Sequence, residues 1–357
     1  MSDPFAAGDH GVQRAAVSAR AVKHRAQLRR WLHSELGGGA FVLHALAPGA
    51  SSRRFFRVQF ADGRRSLIVR DSPLSGDSER FVRVALLLGS AGVHAPVVVA
   101  QNVVGGFVLM GDLGDTTYLS TLNDNNADSL LEPAIDMLIR WQRASRSGSL
   151  PSVNERLLRR EMSLFARWYV SCHLGLILNR SRQRALERVF DTIVANNLSQ
   201  PIVYVHRDYT ARNLMVCDPS PGVLDFQDAA NGPITYDVAS LFWSSTRDWP
   251  EERVRGWAIR YWKNARRVGV PVQDTVDEFW ESLTGTMIQR HLKMLGVFAR
   301  LKYRAGKPQY LENSPRVLRR LRTFAATSSA LAPLIEILDT LGNPAPPPRV
   351  EGEGRRS

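Results

Sequence analysis

His206-Arg207-Asp208 is followed, after four intervening residues, by Asn213, and a second carboxylate, Asp225, stands seventeen positions beyond Asp208. These residue types at this spacing are what phosphoryl transfer asks of a protein. One carboxylate takes the proton of an acceptor hydroxyl, and an amide and a second carboxylate give hard oxygen donors to a Mg²⁺ that bridges nucleotide phosphates. A His-Arg-Asp tripeptide alone would be a surface Asp in a chance setting. The Asn spacing, the apolar run Ile202–Val205 ahead of it and Asp225 at the end of Val223-Leu224 turn it into a constellation.

Around this centre, His206 reads as a brace for the loop rather than an acid or base. Asp237 follows Gly232-Pro233 at a helix start, a capping place from which it would stiffen the loop. Asp228 is either a third acidic group beside the metals or a loop cap. The nucleotide side carries a weaker pattern. Residues 48–54 form a strand-turn-strand connection in which Ser51, Ser52 and backbone N–H groups face phosphate, with Arg53 or Arg54 adding charge. Arg70 ends a strand on the face shared with Ile68, where a phosphate-gripping cation belongs, and guanidinium fills that role as a fork. Glu79, in the helix that follows, is its candidate partner, with a surface ion pair as the competing reading.

The elements that must position these groups follow from periodicity. A first helix is expected over 22–36, closed by Gly37-Gly38-Gly39, then strands over 41–47, 54–60 and 66–70. In the second strand, alternation puts Phe56, Val58 and Phe60 on one face. A helix over 78–90 and strands over 97–101 and 107–111 complete a small lobe. Beyond residue 113 helical spacing dominates, with helices over 130–143, 155–178, 182–197, 237–244, 253–267, 276–304, 316–323 and 331–341. A short strand, 202–205, delivers the catalytic loop, and a hairpin around Asp218-Pro219-Ser220-Pro221 would bring Asn213 and Asp225 near one another. The stripe Val276, Trp280, Leu283, Met287, Met294, Phe298 and Leu301 reads as core.

The fold class expected is therefore α+β, two lobes of protein-kinase type. Residues 1–21 form a disordered tail, 22–112 a nucleotide-binding lobe, 113–342 a helical catalytic and substrate lobe, and 343–357 a disordered Pro/Arg tail. The 357 residues, 44% hydrophobic and 23% charged, are those of an ordinary globular protein. No apolar run of membrane-helix length and no signal-peptide core is present, so a cytoplasmic protein without membrane association is expected. Cys172 and Cys217 lack paired-ligand spacing and read as reduced. The net charge of +13 could serve nucleic acid, an anionic membrane surface or an anionic substrate and nucleotide; without zinc-finger spacing or a basic heptad region nucleic acid is disfavoured, and the scattered arginines read as solvated faces.

The small lobe, Val205 to Asn213, Asp225 to Asp228 and Tyr236-Asp237-Val238-Ala239 together resemble the aminoglycoside phosphotransferase superfamily of small-molecule kinases. Stretches such as Gly232-Pro233-Ile234-Thr235-Tyr236-Asp237, Gln289-Arg290-His291-Leu292-Lys293 and Asp112-Leu113-Gly114-Asp115 are most similar to its anomeric amino-sugar kinases of bacterial cell-wall recycling. The resemblance covers roughly residues 25–325. It implies ATP and Mg²⁺ as cofactors, Asp112 at the nucleotide hinge, and transfer to the anomeric hydroxyl of N-acetylmuramate or N-acetylglucosamine by a monomer. Gly111 replaces a Glu usual before Asp-Leu-Gly, and Phe242-Trp243-Ser244-Ser245 replaces an Arg-Asp pair. The basic residues Arg212, Arg290, His291 and Lys293 are expected, with Asp228, to form a substrate wall suited to an anionic sugar. An aminoglycoside-type enzyme would need carboxylates there, and a choline-type enzyme an aromatic cage such as Trp243, Trp249, Trp257 and Trp262. A catalytically silent kinase-like binding protein is the remaining alternative; intact metal and base positions speak against it.

Overall fold

The computed structural model describes residues 8–47, 53–72, 74, 76–243 and 247–342, with side chains from residue 22 to 339 within them. Ser51, Ser52, Ser244, Ser245 and the 343–357 tail lie outside the described residues. The elements run α1 (Gly8–Glu35), β1 (Phe41–Ala45), β2 (Arg54–Phe60), β3 (Leu67–Asp71), α2 (Asp77–Ser90), β4 (Val98–Asn102) and β5 (Phe107–Gly111). They continue as α3 (Tyr118–Thr121), α4 (Ala127–Arg143), α5 (Glu155–Leu164), α6 (Arg180–Leu198), β6 (Ile202–Val205), β7 (Leu214–Met215), β8 (Gly222–Val223) and β9 (Ala230–Pro233). The helices α7 (Thr235–Phe242), α8 (Glu251–Arg267), α9 (Val276–Ala305), α10 (Ser314–Ala325) and α11 (Ala332–Gly342) complete the chain. No helix among the described residues is long and apolar enough to cross a membrane.

Two compact units divide these elements. The sheet unit runs to Thr117 and also takes in Met215–Asp228; the helical unit is Tyr118–Leu214 and the chain from Ala229 onward. The chain-order boundary at residue 112 thus moves to Thr117, and the β8 segment with Asp225 returns to the sheet unit. Hydrogen bonds explain the return. Val216 N–H donates to the Thr116 carbonyl at 2.8 Å, Val223 N–H donates to that of His94 at 2.7 Å, and Phe226 stacks on Phe81 at 4.6 Å.

In the sheet unit five antiparallel strands lie in the order β1-β2-β3-β5-β4. Side chains alternate across the faces. Phe56, Val58, Phe60 and Val69 bury one face under Leu28 and Leu32 of α1, and Trp31 stacks on Phe107 at 5.6 Å. The stretch expected as a tail is helical from Gly8. On that same face Asp71, deeply buried, accepts from His24 Nε2 at 2.8 Å and Arg54 Nη2 at 2.7 Å. Ile68 and Arg70 therefore point to the opposite face.

In the helical unit β6 pairs antiparallel with β9 (Val203 opposite Gly232, Val205 opposite Ala230), and α9 is the central helix. Its start is fixed by a capping box, Thr275 with Glu278. At Gly296 a Cβ would stand 2.3 Å from the Leu164 carbonyl carbon, so only glycine lets α9 and α5 approach this closely. Past Leu164 the chain goes on as a π-helix, Phe165–His173, short of the expected end at residue 178.

Candidate active site

The catalytic loop leaves β6 at Val205 and is held by backbone bonds to buried side chains. Asp237, fully buried in the first turn of α7, accepts the N–H of His206 at 2.5 Å and of Arg207 at 2.9 Å. Burial pushes its carboxyl above the ordinary range, against the pull of His206. Asp208 N–H donates to His206 Nδ1 at 3.2 Å, so the histidine braces the loop. Tyr209 anchors the turn by donating its hydroxyl to the Ala134 carbonyl at 2.9 Å. A 3₁₀ turn, Ala211–Asn213, then returns Asn213 to Asp208. The Asn213 amide Nδ2 donates to Asp208 Oδ2 at 2.8 Å and to its carbonyl at 2.9 Å. That commits Asn213's nitrogen to Asp208 and leaves its amide oxygen as the atom with which it would hold a metal.

Strain marks the same places. Among the described residues the non-glycine positions with positive φ are Arg207 (φ 72°) and Asp225 (φ 60°). Left-handed backbone at such residues costs about 1–3 kcal/mol each and persists only where surrounding bonds over-determine it. One of these residues directly precedes the base, and the other is the carboxylate expected to bind metal.

In the sheet unit the chemistry centres on Asp77, which opens α2. Arg70, with no exposed surface, donates Nη2 to Asp77 Oδ2. Arg53 grips the same carboxylate with two nitrogens, at 3.0 and 3.1 Å, and Ser72 Oγ donates to it at 2.6 Å. Burial raises the Asp77 carboxyl, but the bonds from Arg53 and Ser72 and the charge of Arg70 bring it well below the usual range. Arg53 also lies 4.0 Å from Asp225 and 3.8 Å from Asp228, both exposed. Gln227 Nε2 donates to Asp225 Oδ1 at 2.8 Å and orients it.

Arg70 Nε and Nη1 are buried and have no partner among the described residues. An unmatched buried donor costs about 1–3 kcal/mol. Anionic oxygens of a nucleotide phosphate are acceptors of the right charge for both. The residues present thus fit a nucleotide, and the exposed carboxylates of Asp225 and Asp228 fit the oxygen preference of Mg²⁺.

Other expectations need correction. The partner of Arg70 is Asp77, not Glu79, which is exposed. A helix that begins at Asp77 puts its first residue, rather than its third, against Arg70. Asp112 does not offer its side chain to a nucleotide. It accepts from Arg57 Nε at 2.6 Å, Ser66 Oγ at 2.7 Å and Gly114 N–H at 2.9 Å, a brace at the end of β5. Arg290 and His291 do not stand as a substrate wall. Arg290, 7% exposed, donates to the Arg207 carbonyl at 3.1 Å. His291, 1% exposed, meets the Met287 carbonyl through Nδ1 at 2.8 Å. Arg212 remains exposed. The proposed aromatic cage is already taken: Trp243 and Trp257 are buried, and Arg247 and Arg253 lie over Trp249 at 5.1 and 5.2 Å. Asp77 and the engagement of Glu161 were missed by sequence reasoning, and Arg53 was expected only as one of two charges beside phosphate, not as a partner of Asp77. Of these only Arg53 carried a signal, its place beside the expected phosphate loop.

Strand order and the loop between β6 and β7 are those of a protein-kinase-like phosphotransferase, and solved structures agree. An ADP-bound aminoglycoside phosphotransferase, APH(2'')-Ib, superposes with a TM-score of 0.57 at 16% identity, over 83% of this chain and 97% of that one. A Plasmodium vivax ethanolamine kinase gives 0.60 at 12%, over 86% and 85%. At such identities the likeness establishes the fold. The chain belongs to the APH phosphotransferase enzyme family, whose model matches residues 42–279. Among relatives, the N-acetylmuramate/N-acetylglucosamine kinase of Pseudomonas aeruginosa is 45% identical over 326 residues, 88% of this chain and 96% of that protein. The enzyme of the same name from Neisseria meningitidis serogroup B is 39% identical over 322 residues, 89% of this chain and 96% of its own.

Proposed function

We propose that the protein transfers the γ-phosphoryl group of ATP to the anomeric hydroxyl of N-acetylmuramate or N-acetylglucosamine. The observation that carries the chemistry is the Asp208–Asn213 clamp. One carboxylate oxygen is fixed by Nδ2 at 2.8 Å, and the other has no hydrogen bond among the described residues, so it can receive a proton. The acceptor class is supported by kinases of that name at 39–45% identity along most of the chain.

In this reading the acceptor hydroxyl donates to Asp208, which orients an oxygen lone pair toward the phosphorus. The proton passes to the carboxylate late, as the new P–O bond forms and the bond to the leaving ADP breaks. Arg70 holds phosphate oxygens through Nε and Nη1, and Asn213, Asp225 and Asp228 would hold Mg²⁺. A Mg²⁺ held there would supply charge neutralisation for the nucleotide phosphates. Positioning and charge neutralisation supply most of the acceleration.

The test is incubation with Mg-ATP and a panel of N-acetylmuramate, N-acetylglucosamine and kanamycin, following ADP release and the site of phosphorylation by ³¹P NMR. ADP release dependent on the two amino sugars, with phosphate on the anomeric carbon, is expected. Absence of sugar-dependent release overturns the reading, and phosphate on the 6-hydroxyl overturns its anomeric part. Asp208→Asn should lose turnover by at least about a thousandfold while binding nucleotide normally.

A further inference from the structure

Glu161, near the end of α5, has no role in the steps above, yet it is the most heavily engaged carboxylate of the helical unit described here. It is 7% exposed. Its Oε1 accepts from Arg207 Nη2 at 2.5 Å and Lys293 Nζ at 2.8 Å, and its Oε2 from Gln289 Nε2 at 3.1 Å. Lys293 Nζ also reaches the Tyr236 hydroxyl at 3.2 Å. Burial by itself would raise the carboxyl, but the charges of Lys293 and Arg207 hold it at about 2, so it stays an anion wherever the enzyme works.

The target of this network is the residue before the base. Arg207 takes a left-handed backbone conformation, and it is tied at three points. Its N–H goes to Asp237, its carbonyl receives Arg290, and its guanidinium goes to Glu161. Lys293, Gln289 and Arg290 come from one face of α9, and Glu161 from α5. If Arg207 relaxed to the ordinary right-handed region, the following peptide would rotate and carry the Asp208 carboxylate with it. Misplacement by about 1 Å is enough to cost a hundredfold in rate.

We propose that Glu161, locked by Lys293 and Gln289, is a positioning residue that acts through Arg207 to aim Asp208. A charged hub suits the task because its bonds are directional and strong, and because one carboxylate separates two cations that would otherwise repel. Gln at this position would keep the shape but lose the grip on both.

The inference rests on Asp208 being the base, so Asp208→Asn is run beside the other variants. Steady-state kinetics and melting temperature are measured for Glu161→Gln, Lys293→Met and Lys293→Arg. Glu161→Gln should lower kcat about ten- to a hundredfold with KM for ATP held within about twofold. Lys293→Met should lose kcat less, since Arg207 stays on Glu161, and Lys293→Arg should recover most of that loss. A purely structural hub would lower the melting temperature and leave kcat per folded molecule unchanged, which overturns the proposal. So does a rise in KM for ATP at constant kcat. Should Glu161→Gln fail to fold, wild-type kcat in Lys293→Met overturns it instead. An active Asp208→Asn removes the base assignment and this proposal together. An inert Asp208→Asn with a fully active Glu161→Gln removes this proposal alone.

Discussion

Arg70 is the residue whose replacement separates binding from folding. Its Nη2 belongs to the protein through Asp77, and its Nε and Nη1 belong to a ligand if they belong to anything. Arg70→Met should weaken ADP binding by roughly ten- to a hundredfold, the worth of one or two charge-assisted bonds, as measured by calorimetric titration. Fold stability should change far less, because Asp77 retains Arg53 and Ser72. Equal affinity in the two proteins would remove Arg70 from the nucleotide site. Asp225→Asn should act differently, weakening Mg-ADP binding and sparing metal-free ADP; equal losses with and without Mg²⁺ would show that Asp225 holds no metal. The Asp208–Asn213 pairing was legible because its spacing is local and the expected chemistry tolerates few residue types. Glu161 was not, since its partners Arg207 and Lys293 lie 46 and 132 positions away. No local pattern marks a carboxylate that distant cations will find.

At the scale of elements, amphipathic spacing located nearly every helix of the helical unit, because buried faces there repeat over several turns. Two failures have physical causes. Strand β9, Ala230–Pro233, has the sequence Ala-Asn-Gly-Pro, without the β-branched or aromatic residues that mark strands, and exists because β6 supplies a register for it. Helix α1 extends back to Gly8 through a stretch whose Ala and Arg content was read as a tail, although both residues favour helix. What holds α1 on the sheet is the cluster at its C-terminal half. Leu32, fully buried against Phe56, Val58 and Phe107, should cost about 2–5 kcal/mol when changed to Ala. Urea denaturation followed by tryptophan fluorescence measures it. A loss below about 1 kcal/mol would mean that α1 is only loosely held by this contact.

For the molecule as a whole, the buried ionisable groups set how stability depends on pH. His291 is kept neutral: burial, aided by the charge of Arg320, lowers it from 6.5 to about 3. The unfolded chain therefore binds a proton at this position that the folded chain refuses, throughout the window from 6.5 down to about 3. Stability must fall as pH falls through that window, with a slope approaching about 1.4 kcal/mol per pH unit. Glu161, lowered from 4.5 to about 2, adds a second loss in the same direction below 4.5, and Asp77 acts likewise from 3.8 downward. Asp237, displaced upward, opposes them only in a window just above its ordinary 3.8. The first arm of acid destabilisation thus belongs to His291 together with His173, which burial and the charge of Lys302 also lower. Urea midpoints at pH 7 and 5.5 should differ by the equivalent of about 1 kcal/mol in the wild type. In His291→Leu, which places an apolar side chain in the same core position, that difference should shrink to the share of His173 while the steeper loss below 4.5 remains. A histidine variant with an unchanged slope between the two pH values would assign the first arm to the exposed histidines instead.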